Sequence, residues 1–131
     1  VTYTINTTIA EPYETAVAAT RDALAEQGFG VLTEIDLKAT LKEKLDVDVA
    51  PQVILGACRP QLAHQALGID PSIAVVLPCN VVVRSVNELT TVVEAFDPEA
   101  MTRLAGDAFR DVAADVRMRL NAALETLGGD R

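Results

Sequence analysis

Two cysteines, a single histidine and a few acids are the residues of this chain best suited to chemistry. Cys58 stands in Ile54-Leu55-Gly56-Ala57-Cys58-Arg59-Pro60, at the end of an apolar run and just before a proline that can open a helix. A thiol placed there faces the positive end of a helix dipole, and Arg59 adds a cation beside it. Both effects lower a thiol pKa and favour the thiolate. The chemistry this points to is nucleophilic or redox catalysis, with Cys58 the catalytic candidate, or ligation of a metal or small molecule. The plainer account is a small buried residue filling a corner, because free cysteine is among the most buried residue types.

Cys79 follows a proline in Leu77-Pro78-Cys79-Asn80, and both Cys79 and Asn80 are candidate ligand contacts. If the flanking strands formed a plain antiparallel pair around an insertion at residues 61–68, Cys58 would face about residue 72. Cys79 would then lie on the order of 20 Å away at the usual strand rise. A disulfide needs α-carbons within about 7 Å. This reading disfavours an intrachain bridge and leaves open a bridge or metal site across a dimer interface.

His64 makes Cys58-x5-His64 a two-ligand fragment for a metal, short of the three or four ligands of a zinc site. A solvent-facing helical histidine is the simpler account. Glu34 and Asp36, two apart on a strand, share one side and can do acid/base work or hold a hard cation. Asp36 serves more simply as a helix cap and Glu34 as the ion-pair partner of Lys38. Glu34 joins Cys58, Cys79 and Asn80 in the candidate ligand-binding set. No Ser/His/Asp arrangement is apparent, and Gly28 and Gly30 lack the spacing of a phosphate loop. No particular cofactor is implied.

The elements that must position these groups follow from hydrophobic period and punctuation. Residues 2–9 alternate, with Tyr3, Ile5 and Ile9 on one side, as in a half-buried strand. Glu11-Pro12 opens a helix whose stripe is Val17, Thr20, Leu24 and Gln27 with Ala16 and Ala23, and Gly28 closes it in the left-handed conformation. A second strand is expected over residues 29–35 with Phe29, Val31 and Ile35 on one face. Asp36 then caps a short helix with Leu37, Leu41 and Leu45 every four residues. Residues 53–58 form a third strand without alternation, which implies burial on both faces or a close approach at a small residue. Pro60 starts a helix over residues 61–67 that Gly68 ends. Residues 73–77 read as a fourth strand, irregular at Pro78 and resuming at residues 81–83, and residues 89–96 as a fifth. Asp97-Pro98-Glu99 is a strong helix start. One long helix is expected from there to about Leu127, with Leu104, Ala108, Val112, Val116, Leu120, Ala123 and Leu127 facing inward. Strands in sequence with helices against one face make an α+β two-layer fold.

The chain has 131 residues, which reads as one α+β domain over residues 1–131. Half the residues are hydrophobic but only 4% aromatic, so the core should be aliphatic. The net charge of −8 repels polyanions, which argues against nucleic acid and against an anionic membrane surface as partners. No apolar run approaches the roughly 18–20 residues of a membrane span, and no signal peptide is visible, so the expected location is cytoplasmic. Two cysteines do not make a disulfide scaffold.

Three blocks carry a resemblance: residues 28–37 (Gly28-Phe29-Gly30 onward), residues 54–60, and Leu77-Pro78-Cys79-Asn80-Val81-Val82-Val83. With Leu62-Ala63-His64 and residues 92–98, they resemble the domain of unknown function 302 family over about residues 3–101. The resemblance implies a curved antiparallel sheet gripped by helices in β-α-β-β-β-β-α order, similar to one TATA-binding-protein-like repeat, and a tendency to form homodimers. It implies no chemistry, since fold alone does not define function. Arg59 stands where the family pattern has a neutral polar residue, often Asn, so a mechanism needing an amide beside Cys58 is not implied. The functional expectations are a small ligand or metal bound near Cys58, a thiol enzyme or redox protein using Cys58, or a structural interaction module.

Overall fold

Alternating side chains in the first residues make β1 (Thr4–Ile9), whose Ile5, Thr7 and Ile9 face the core. A computed structural model describes residues 3–128. Helix α1 (Tyr13–Glu26) buries Ala16, Thr20, Ala23 and Leu24, the stripe expected from sequence. The buried Thr20 hydroxyl donates to the Ala16 carbonyl at 2.7 Å, so its burial leaves no orphan donor. At the end of α1 the Gly28 N–H donates to the Ala25 carbonyl and the Phe29 N–H to that of Leu24, both at 3.0 Å. Gly28 has φ +83°, as this Schellman closure requires.

Strand β2 (Gly30–Asp36) leads into α2 (Leu37–Leu45), where Asp36 Oδ1 accepts from the Ala39 N–H at 2.9 Å as the expected cap. Strand β3 (Gln52–Cys58), α3 (Pro60–Ile69) and a 3-10 turn (Pro71–Val76) follow. Then come β4 (Cys79–Asn87), β5 (Thr90–Phe96), α4 (Glu99–Ala105), a second 3-10 turn (Asp107–Phe109) and α5 (Arg110–Gly128). The five strands form one antiparallel sheet in the order β1-β5-β4-β3-β2, so β1 and β2 are its edges. Helices α1 and α5 pack on each other and against the sheet. Between them lie Leu55, Val81, Val83, Val93 and Leu120, all fully buried. This is the expected α+β design, built from aliphatic side chains.

Four sequence expectations need correction. Residues 73–77 are not a strand: Asp70 caps a 3-10 turn there by accepting from the Ser72 N–H at 3.0 Å, and the strand begins only at Cys79. The short helix runs through Gly68 to Ile69 rather than stopping before the glycine. Ile35 does not share a face with Val31, because the register slips between Val31 and Thr33. The extra residue, Leu32, is a bulge, and beyond it every side chain of β2 changes sides. Val31 therefore lies opposite Ala57 while Ile35 lies opposite Ile54. Finally, the C-terminal helix is two helices broken at Gly106, whose φ of +108° no helix accommodates. Leu104 and Ala108 consequently sit on the surface, whereas Val112, Val116, Leu120 and Ala123 are buried as expected.

Candidate functional site

Strand register decides where the two sulfurs go. Ala57 of β3 lies directly opposite Cys79 of β4, so Cys58 is one residue from the Cys79 partner position rather than far along the sheet. The separation expected from a plain hairpin is wrong for a definite reason. Helix α3 and the 3-10 turn consume residues 60–76 outside the sheet, and the ladder resumes only at Cys79. Strict alternation would put Cys58 on the opposite face from Ala57. At the end of β3, where the chain turns into α3, Cys58 is nonetheless among the residues lining the same pocket as Cys79, and its thiol is near enough to act on that of Cys79. Both cysteines are free thiols; Cys79 is buried and Cys58 half-buried.

The pocket holds about 30 Å³, room for roughly one water-sized body. Its walls are apolar: Phe29, Leu62, Leu77, Val112 and Val116 surround the sulfurs, and Met101 brings a third sulfur from α4. The break at Gly106 gives α4 its own direction, and Met101 is buried on its inner side. Sequence periodicity missed Met101 because a single continuous helix was expected there. Just before β4 the Leu77–Pro78 peptide is cis, and the Pro78 ring lies over Gly56 on the neighbouring strand. A β-carbon on Gly56 would come within 2.7 Å of Pro78 Cγ and collide with Thr33 Oγ1, which is the close approach the non-alternating β3 suggested.

Arg59 closes the remaining side. Its carbonyl accepts from the Leu62 and Ala63 N–H groups, both at 3.0 Å, so the residue is the N-terminal hinge of α3. Its guanidinium lies against Gly28, where any β-carbon would collide with Nη1. Gly28 thus answers two demands, a left-handed φ and space for the arginine. Arg59 Nε is buried without a hydrogen-bond partner among the described residues. Such an unsatisfied donor costs about 1–3 kcal/mol, and more when charged.

The thiol acidities reverse the sequence expectation. Burial pushes the Cys58 thiol above its ordinary value. The Cys79 thiol is pushed up to about 11, first by burial and then by Cys58 beside it. Desolvation disfavours a would-be thiolate at both positions. At neutral pH both are thiols.

The other candidates lie apart. His64 is exposed on α3, whose Leu62, Ala63 and Ala66 line the pocket instead. Asn80 is exposed on β4 across from Gly56. Glu34, exposed on edge strand β2, is ion-paired with Arg21 of α1 and not with Lys38, whose Nζ donates to the Val49 carbonyl at 2.9 Å. Asp36 is occupied as the α2 cap. Among the described residues no group of three or more His, Cys, Asp or Glu side chains is placed to hold a metal. None of the described helices is long and apolar enough to cross a membrane.

An open antiparallel sheet with two helices across one face and a sulfur-lined pocket at one end defines the structural class. The chain belongs to the family described as domain of unknown function DUF302, whose model matches residues 5–127 and so extends through α5. It is similar to a solved structure described as an uncharacterized conserved protein DUF302 from Bacillus stearothermophilus. The two share 29% identity with a TM-score of 0.88, over 97% of this chain and 99% of that one. No curated protein matches the chain. These likenesses give family and fold and assign no activity.

Proposed function

We propose that this protein binds a soft monovalent metal ion, copper(I) by chemistry, through Cys58 and Cys79, with the Met101 thioether as a third donor. The observation that carries this is the β3–β4 register, which brings the chain's only two cysteines into one pocket with a methionine. Thiolate and thioether sulfur together suit soft copper(I), whereas zinc normally takes three or four ligands drawn from thiolate, imidazole and carboxylate, with thioether not among them. A volume of about 30 Å³ suits one ion and is far below the roughly 300 Å³ at which drug-sized ligands begin. Two thiolates around a monovalent cation leave one negative charge, and the adjacent Arg59 supplies its counter-charge and a donor in need of an acceptor. The metal pair Cys58–His64 is replaced in this reading by Cys58–Cys79. The raised thiol pKa values weigh against a thiolate enzyme and require the ion to displace protons as it binds.

Anaerobic titration with copper(I) against a chromophoric chelator tests this reading. One ion per chain is expected, abolished by Cys58→Ser and by Cys79→Ser and retained by His64→Ala. Absence of retained ion in the wild type, or full binding by Cys79→Ser, overturns it. A cytoplasmic location fits a site that works only with reduced thiols. For assembly we propose a homodimer formed along edge strand β2. Its ladder is open on one side, and Leu32 and Ile35 are 65% and 45% exposed there.

A further inference from the structure

On the opposite side of α5 from the core, α4 and α5 enclose a groove of about 490 Å³ lined by Arg103, Arg110 and Arg117 together with Glu99, Thr102 and Asn121. We infer that this groove is a binding site for a small phosphoryl-bearing polyanion of the diphosphate class, held by the three arginines. The inference rests on neither cysteine.

Arg110 and Arg117 are seven residues apart on α5, two turns or about 10 Å along one face. Ala114 lies between them, and its small side chain leaves the floor open. Arg103 comes from the last turn of α4, facing them. Arg117 is set in place from behind: its Nε donates at 3.0 Å to Asp97 Oδ1, a buried carboxylate that also accepts from the Glu99 N–H at 3.0 Å. One fork is therefore oriented before any ligand arrives, the arrangement in which arginine recognises oxyanions with least ordering cost.

The groove is close to electrical balance. Arg110 pairs with Asp107 at 2.9 Å, and Arg117 also approaches Glu99 at 3.7 Å. Asp107 and Glu99 are both largely exposed, and exposed pairs of this kind contribute little, so an anion can take their place. The buried Asp97 pair stays and keeps the site oriented. Three guanidinium groups gathered at one groove suit a ligand with more acceptor oxygens than one carboxylate presents, which favours a phosphoryl ligand of at least two negative charges. Thr102 and Asn121 add neutral hydrogen-bonding groups at the rim. In a chain of net charge −8, three arginines gathered at one groove favour a compact anion over an extended polyanion, which the rest of the surface repels.

Calorimetric titration with inorganic pyrophosphate at about 0.1 M salt, where the Debye length is about 10 Å, reads the site directly. One pyrophosphate per chain is expected. Arg103→Gln and Arg110→Gln should each weaken binding about tenfold or more. Arg119→Gln should stay within about twofold, because Arg119 is bonded to Asp115 at 2.8 Å outside the groove. Absence of binding, or equal losses in Arg119→Gln and Arg110→Gln, overturns the inference as mere bulk charge. Arginine Nε–Hε resonances of the unaltered protein give a reading free of variants. Shifts confined to Arg103, Arg110 and Arg117 support the site, and shifts spread across all arginines refute it.

Discussion

Alkylation of the two thiols offers a quantitative check on the pocket. With a pKa of about 11, Cys79 at pH 7.5 is thiolate in roughly one molecule per three thousand, against about one in ten for an ordinary cysteine. That is a deficit of about three-hundredfold in the reactive species. A more basic thiolate is intrinsically more nucleophilic, and a Brønsted slope of about 0.4–0.5 returns roughly tenfold. Ionisation alone therefore leaves Cys79 about thirtyfold slower than free cysteine toward iodoacetamide, and burial slows it further. Cys58, also shifted upward by burial, should be slower than free cysteine as well, though less so because it is half-buried. Intact mass with peptide mapping, from pH 6.5 to 9.5, separates the two sites. The Cys79 rate should climb about tenfold per pH unit across the whole range without a plateau. A plateau near pH 8.5, or labelling of either residue as fast as free cysteine, would refute the claim that desolvation governs these thiols.

Further outcomes follow from the same structure. Gly28→Ala should destabilise the fold by about 1–2 kcal/mol in urea unfolding from its left-handed backbone alone, with more from the displaced Arg59 guanidinium. Gly56→Ala should cost about 1–3 kcal/mol by overpacking against Thr33 and Pro78, and it should weaken metal binding by shifting Cys79. The Glu94 carboxylate accepts from Thr4 Oγ1 and from Arg84 Nη1, both at 2.6 Å, and these bonds, Thr4 first, hold its pKa below the usual value. The stability it contributes is therefore present above the ordinary carboxylate pKa and lost as pH falls through the lowered folded value. Glu94→Gln should remove about 1 kcal/mol at pH 7 and flatten the acid limb of the stability profile. Ile35→Asp should leave a monomer in light scattering if β2 is the dimer edge, and a dimer surviving that change would refute the edge assignment.

Most of the architecture was legible because it rests on local rules. The β1 alternation, the α1 stripe, the Gly28 closure and the Asp36 cap each depend on residues within a few positions of one another. The departures arise where long-range geometry decides. Leu32 enters as a bulge that no short window distinguishes from a regular strand residue, and it turns Ile35 outward. Residues 73–77 carry a strand-like run of aliphatics, yet Asp70 and Pro71 set a 3-10 turn that displaces the ladder to Cys79. That displacement brings Cys79 beside Cys58, so the pairing of the sulfurs was beyond sequence spacing. Cys58 and Cys79 were legible as candidates. Their acidity was not, because a helix start and an arginine are visible in sequence whereas the hydrocarbon around the sulfurs is not. Gly106 did signal a helix break, and reading it would have separated Leu104 from the core and directed attention to Met101.

The count of protons released as copper(I) binds tests the central claim most directly, since two neutral thiols must both deprotonate to ligate one ion. At pH 7 in weak buffer, the account predicts close to two protons per ion in the wild type. Release of one proton or none, with the ion bound, would contradict a centre built from Cys58 and Cys79 together.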